Sequence, residues 1–489
     1  MKQTTAIILL TVLMLSMLIG CSSGNTGTAE TTSQAEETTT AEETTTSPLN
    51  VIVGDKNYDG MEFNIGYSIQ FDKNECYVPL EETNGDIINE AIYERNRLAE
   101  ERLGIKIKGQ KLCDLWTGIL TAIQPLIASG DNPYDVFCCS TWFMLQASFN
   151  GYLYDLADID TLDFSHEWWD ERVNEMYRFG SNSQYMASGY INYNDDLACS
   201  VLYFNKKIFD DLGLDYPYKD VHDGKWTFDN LFALSKKFGS DLNGDGVYNE
   251  LDSYGYSDNY GAGLRFIMAG GNRIIEIADD GSASLNTSQR LVDTFEKAMT
   301  GLLAKSITTT VVANRNPVMN ENMMKEIFYD NRLMFWSDIV TNIMIYRLKM
   351  DADFGMLPDP KYDEAQEEYC TYFSGACGSA YSIPVTNELP EDTGIILETM
   401  GYYSADTIYP AVIENSVMTK SARDDESAEI MEMLFRNKVY ELGQWGSKIY
   451  SNLCNLVRDD QTTIASTFEA HNDATVAQFA PFTEYYDYD

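Results

Sequence analysis

The chain has 489 residues, 44% of them hydrophobic, and carries 76 acidic against 34 basic side chains for a formal net charge of −42. A surface this acidic excludes nucleic acid as a partner, and excludes anionic lipids recognised through a basic face, because both require positive potential. The apolar content is ample for two lobes, while His166, His222 and His471 are the only histidines, too few and too scattered for a histidine-rich metal centre.

Residues 1–20 read as a secretory signal peptide, with a basic start, the apolar run Ala6–Ile19 and the small residue Gly20 before the cut. That run falls short of the roughly 20 residues a membrane-spanning helix needs, and no later run approaches about 18 apolar residues. Leu18-Ile-Gly-Cys21 is similar to the lipobox of bacterial lipoproteins, which implies that Cys21 is lipidated and anchors the chain on the extracellular face of the cell membrane. From Cys21 to residue 54 the sequence predicts a disordered Thr/Glu-rich linker. Ala-Glu-Glu-Thr-Thr-Thr occurs at 35–40 and again at 41–46, and such a tract has little apolar surface to offset chain entropy. Of the nine cysteines, the eight after Cys21 include no CxxC pair; most read as buried thiols, and the sequence assigns no disulfide.

The body then alternates strands and helices. Phe63–Tyr67 is a predicted strand, Ile87–Leu103 a helix stopped by Gly104, and Ile105–Lys108 a second strand. A helix over Leu115–Ser129, ended by Gly130, leads to a buried strand at Tyr134–Cys139 and a helical run up to Gly151. This β-α-β-α-β order implies a largely parallel sheet covered by helices. The order repeats with a strand at Val201–Phe204, a helix at Lys206–Leu212 and a helix capped by Thr227 that buries Phe228, Leu231, Phe232, Ser235 and Phe238 on one face. Further helices are expected at Gln289–Lys305 and Ala428–Leu442, with short strands at Leu333–Trp336, Phe354–Leu357 and Tyr381–Pro384. The expectation is an α/β protein of two lobes.

Asp241-Leu-Asn243-Gly-Asp245-Gly246-Val247-Tyr-Asn249-Glu-Leu-Asp252 matches a calcium-binding loop at positions 1, 3, 5, 6, 9 and 12, with Asp in place of the usual final Glu. Oxygens at alternate positions converge only where the chain turns sharply, which Gly246 allows. The expected ligands are Asp241, Asn243, Asp245, the Val247 carbonyl, Asn249 and Asp252, holding one structural Ca²⁺ in a single loop, not in a paired EF-hand.

Gly130-Asp131-Asn-Pro133-Tyr-Asp135-Val136 with Gly151-Tyr-Leu153-Tyr-Asp155-Leu156 resembles the first-lobe signature of the extracellular solute-binding proteins of ABC importers, family 1. Val201-Leu-Tyr203-Phe-Asn205-Lys206, Trp226-Thr227-Phe-Asp229-Asn-Leu231, Tyr254-Gly255-Tyr256 and Phe354-Gly-Met-Leu357-Pro358-Asp-Pro360 resemble later motifs of that family, in the same order. The chain departs from the pattern at Phe204, where Tyr is typical, and at Asn230, where Glu would complete a capping box. The resemblance implies a two-lobe periplasmic-binding-protein-like fold with a hinge and discontinuous lobes, placed at 55–197 plus 329–378 and at 198–328 plus 379–489. It also implies a monomeric receptor without a catalytic step, handing a small polar solute, foremost an oligosaccharide, to membrane permease subunits.

Aromatic side chains, 12% of the chain, offer flat faces for sugar rings, and binding aromatics belong in loops after strands facing the cleft. The candidate ligand-binding residues are Trp142, Trp336, Tyr67, Asp338, Trp169 and Tyr193. Two rival readings are a surface glycoside hydrolase, which needs two carboxylates roughly 5–10 Å apart, and an adhesion lipoprotein without a small ligand. From residue 50 onward there is no GxSxG, HExxH, GxGxxG or Walker sequence to support other catalysis.

Overall fold

The computed structural model describes residues 47–68, 86–114, 116–179, 183–258, 262–278, 282–304, 308–310, 320–413, 425–444 and 448–483. The expected signal peptide, Cys21 and the linker up to residue 46 lie outside the described residues, as does Cys76. The elements in chain order are β1 (Met61–Ser68), α1 (Ile87–Leu103), β2 (Ile105–Cys113), α2 (Ile119–Ser129), β3 (Val136–Ser140), α3 (Thr141–Phe149) and α4 (Glu171–Met176). Then come β4 (Ser200–Asn205), α5 (Lys206–Leu212), α6 (Phe228–Ser235), β5 (Tyr254–Asp258), α7 (Ala262–Ala269), α8 (Gln289–Leu302), β6 (Thr308–Thr310), β7 (Leu333–Ile339) and β8 (Phe354–Leu357). The chain finishes with β9 (Thr371–Tyr372), β10 (Ser379–Ser382), α9 (Pro390–Asp406), α10 (Ile408–Ile413), α11 (Asp425–Arg436), β11 (Lys438–Val439), α12 (Lys448–Arg458) and α13 (Ala465–Thr483).

Two sheets organise the body. The first has the order β10-β3-β1-β2, with β1 parallel to both neighbours and β10 antiparallel to β3. In β2, Ile105 and Ile107 are buried while Lys106 and Lys108 are exposed, the alternation of a strand with one wet face. The second sheet has the order β6-β5-β7-β4-β8, and every residue of β4, β5 and β8 is buried, as expected of strands covered on both faces. Local chemistry sets the helix ends. The Asp86 carboxylate accepts from Asn89 N at 3.0 Å to start α1, Gly104 at φ 66° stops it, and Thr227 caps α6 through Asn230 N.

The structure reassigns the later segments. β7, expected in the first lobe, pairs antiparallel with β4 in the second sheet. β10, expected in the second lobe, pairs with β3 in the first. Helices α9 and α10 pack on α1, whereas α11 packs on β8 and α12 on α7. The first lobe is therefore built from residues 47–197 and 379–413, and the second from 200–357 and 425–483. A periodicity of two marks a strand but not the sheet it joins, which depends on contacts distant in sequence. The expected linker also ends early: Pro48–Val53 is helical and buries Leu49 and Val53 beside α9. Cys139, Cys199, Cys370 and Cys454 are free thiols.

Candidate functional site

The lobes meet where β3 runs into α3. Ser140 Oγ and Thr141 Oγ1 donate to the Gly375 carbonyl at 3.0 and 2.9 Å, and Trp142 N donates to the same oxygen at 3.0 Å. The start of α3 is thus tied to the segment between β9 and β10 that returns the chain to the first sheet. The half-buried Trp142 ring meets Tyr450 of α12 edge-on, with centroids 6.2 Å apart and planes at 78°. One ring belongs to each lobe.

Tyr450 has polar neighbours, Tyr372 and Arg265 among them. Tyr372 donates its hydroxyl to Gln444 Oε1 at 3.1 Å, and the Gly375 N–H shares that oxygen at 3.1 Å. The Arg265 guanidinium lies 5.9 Å from the Tyr372 ring centroid and is buried, and its Nε and Nη1 make no hydrogen bond among the described residues. Burial pulls its pKa down, but Asp359, Tyr256 and Asp258 outweigh that and hold it above the usual arginine value. Asp258 itself closes β5 and is fully buried. The junction therefore offers two aromatic faces, a guanidinium and carboxylate oxygens.

A separate cavity of about 430 Å³ opens between first-lobe residues around Trp169, Tyr190 and Tyr409 and the second-lobe helix α11 with Lys438. Gly189 makes the close packing there possible, since a Cβ would sit 2.2 Å from the Trp168 carbonyl oxygen. Tyr190 and Tyr409 stack with centroids 4.2 Å apart. Lys438 Nζ is shared by three carboxylates, Asp170 at 2.7 Å, Asp195 at 3.2 Å and Asp196 at 2.6 Å. Burial pushes Asp195 and Asp196 above the usual carboxylate range, one ammonium being too little compensation for three acids.

Of the residues singled out by sequence, only Trp142 stands at the junction. Trp336 and Asp338 are fully buried inside the second lobe. The Trp336 indole donates to Tyr346 Oη at 2.8 Å, and Asp338 accepts from the Tyr346 hydroxyl and from Asn342 Nδ2 at 2.8 Å. Tyr67 packs in the first-lobe core. Trp169 lines the cavity, its indole donating to Glu398 Oε1 at 2.9 Å, and the half-buried Tyr193 packs against both hydrophobic clusters. The strand runs on to Ile339, so Trp336 and Asp338 lie within a buried strand and their side chains belong to the core. Tyr450, Tyr372 and Arg265 were missed because nothing in their local sequence separates them from ordinary amphipathic segments.

The loop expected to bind calcium turns as its sequence suggests. Asp241 accepts from Gly244 N at 2.7 Å and Gly246 N at 2.8 Å, Asp245 from Val247 N at 2.7 Å, and Asn249 Oδ1 from Leu251 N at 2.9 Å. Asn243 Oδ1 accepts from Asp245 N, and Asn249 Nδ2 donates to the Val247 carbonyl at 3.1 Å. The fully buried Asp252 receives Leu242 N and Asn249 N, closing the loop. This all-oxygen set has the chemistry a hard cation selects, although among the described residues no three His, Cys, Asp or Glu side chains converge on one metal position. No helix among the described residues is long and apolar enough to cross a membrane.

Known proteins share this architecture. An ABC substrate-binding protein from Listeria monocytogenes in complex with cycloalternan superposes with a TM-score of 0.56 at 15% identity, covering 86% of this chain and 100% of that one. The galacto-N-biose-/lacto-N-biose I-binding protein of a Bifidobacterium longum ABC transporter, in complex with lacto-N-biose, gives 0.54 at 13%, covering 87% and 98%. A Mycobacterium tuberculosis protein in complex with glycerophosphocholine gives 0.53 at 12%, covering 87% and 99%. These likenesses establish the two-lobe fold. No curated protein sequence matches the chain. Residues 80–317, just under half of the chain, match the sequence model of the bacterial extracellular solute-binding protein family, and the fold agrees with that match.

Proposed function

We propose that the chain is the substrate-binding component of an ABC importer and that it takes an oligosaccharide between its lobes. The observation that carries this reading is the Trp142–Tyr450 pair, one aromatic ring from each lobe meeting edge-on where the helix after β3 contacts α12. Sugar rings present apolar C–H faces that pack on aromatic rings, while their hydroxyls need the donors and acceptors that Arg265, Gln444 and Asp258 hold nearby. The carbohydrates bound by the Listeria and Bifidobacterium proteins support the same ligand class. The ligand acts by preferring the closed arrangement of the lobes, since only differential affinity shifts such an equilibrium. The closed form is what permease subunits then recognise, and the sugar leaves chemically unchanged. The Leu18–Cys21 motif supports a lipid anchor on the extracellular face, and the loop Asp241–Asp252 supports one structural calcium.

Substitution of Trp142 tests the site. Trp142→Ala removes a central aromatic wall, an effect of about 2 kcal/mol at a buried binding position and about thirtyfold in Kd. Titration with the oligosaccharide that the parent protein binds should show that loss. Unchanged affinity would place the ligand elsewhere.

A further inference from the structure

The 430 Å³ cavity differs in chemistry from the junction at Trp142. Its size falls within the range of small-molecule sites, which begins at about 300 Å³. Its lining carries five acidic side chains, Asp170, Glu171, Asp195, Asp196 and Glu432, against three basic ones, Arg172, Arg436 and Lys438, and the Lys438 ammonium is shared by Asp170, Asp195 and Asp196. The Arg172 guanidinium is directed to Glu368 at 3.4 Å and Asn437 at 3.5 Å. Arg436 stands exposed at the rim, opposed there by the exposed Glu432. The lining also includes aromatic side chains, the stacked Tyr190–Tyr409 pair and the buried Trp169.

Surplus carboxylate beside π faces is the environment that attracts a desolvated cation, since ring quadrupole and carboxylate act in the same direction. We propose that this cavity binds a small organic cation, an ammonium or quaternary ammonium group seated against the tyrosine pair with its charge toward the aspartates. The site is separate from the sugar position and does not depend on it. A neutral ligand of the same shape gains the apolar contact but not the electrostatic part, and an anion is repelled.

The test is calorimetric titration of the full chain with choline and with its uncharged tert-butyl isostere. Choline should bind saturably at one site, and the isostere at least about tenfold more weakly, the ratio that ~1.4 kcal/mol of cation-specific interaction gives. Tyr409→Ala should weaken choline by at least about tenfold while the sugar titration stays as in the parent. Glu432→Gln at the rim should weaken it by a smaller factor and carries the test if Tyr409→Ala does not fold. Equal binding of choline and isostere, absence of choline binding, or displacement of choline by sugar would each overturn the proposal. The last outcome would leave the sugar reading standing, and a failed sugar titration with intact choline binding would leave this one standing.

Discussion

Lys438 gives the sharpest stability test of the structure. Its side chain is 4% exposed and its ammonium touches Asp170, Asp195 and Asp196. Burial pulls its pKa down, but the three acids outweigh burial and keep it protonated. Lys438→Met retains most of the volume and removes the charge, leaving buried carboxylates uncompensated, a change that costs about 3–5 kcal/mol. Unfolding entropy of about 2.1 cal/mol/K per residue gives a body of this size roughly 0.9 kcal/mol/K, so a ~4 kcal/mol loss lowers the melting temperature by about 4–5 °C. The loss depends on pH. Asp195 and Asp196 already titrate above their unfolded value, so they oppose folding increasingly as pH rises through their folded-state pKa. Without Lys438 that shift grows, and the penalty is larger at pH 8 than at pH 5, where protonation relieves it. Differential scanning calorimetry of parent and variant at both pH values measures this. A variant that melts with the parent at pH 8, or a gap that widens toward pH 5, would refute the reasoning.

Other consequences follow from the same contacts. Chelation of calcium should lower the melting temperature by several degrees, and Asp252→Asn should abolish the chelator's effect; a melt indifferent to chelator contradicts the loop reading. Glu398 accepts from Trp168 and Trp169 indoles at 2.7 and 2.9 Å and from Asp163 N at 2.7 Å. Glu398→Gln turns an N–H toward those donors and should cost about 2–3 kcal/mol in denaturant unfolding; a neutral result would mean the network is not formed. Trp336→Phe removes one buried hydrogen bond to Tyr346 and should cost about 1 kcal/mol with sugar affinity unchanged. A loss of affinity there would return Trp336 to the binding site.

The sequence made the local structure readable because local chemistry determines it. α1, α5 and β8 run over Ile87–Leu103, Lys206–Leu212 and Phe354–Leu357, matching their periodicity, caps and stop signals, and Gly104 and Gly213 end helices at φ 66° and 63°. The family motifs sit at strand–helix junctions, where few residue types fit. What stayed hidden was long-range. Leu333–Ile339 and Ser379–Ser382 are fully or almost fully buried strands whose sheet partners, β4 and β3, lie far back in the sequence. The same ambiguity bears on Trp336 and Asp338: the expected strand end at Trp336 is in fact the middle of Leu333–Ile339, and how far a strand runs depends on partners distant in sequence. Trp142 was readable because it directly follows a strand and opens a helix, whereas its partner Tyr450 comes from α12, more than 300 positions later.

The central claim is that the lobes close on a carbohydrate that leaves unchanged. Its most direct test is isothermal titration of the full chain against linear and cyclic oligosaccharides, with the sugar recovered and analysed afterwards. The account predicts saturable binding of one sugar class at one site per chain, with the recovered sugar intact. Cleaved sugar would make the protein a hydrolase, and the absence of heat with every sugar would contradict the carbohydrate receptor.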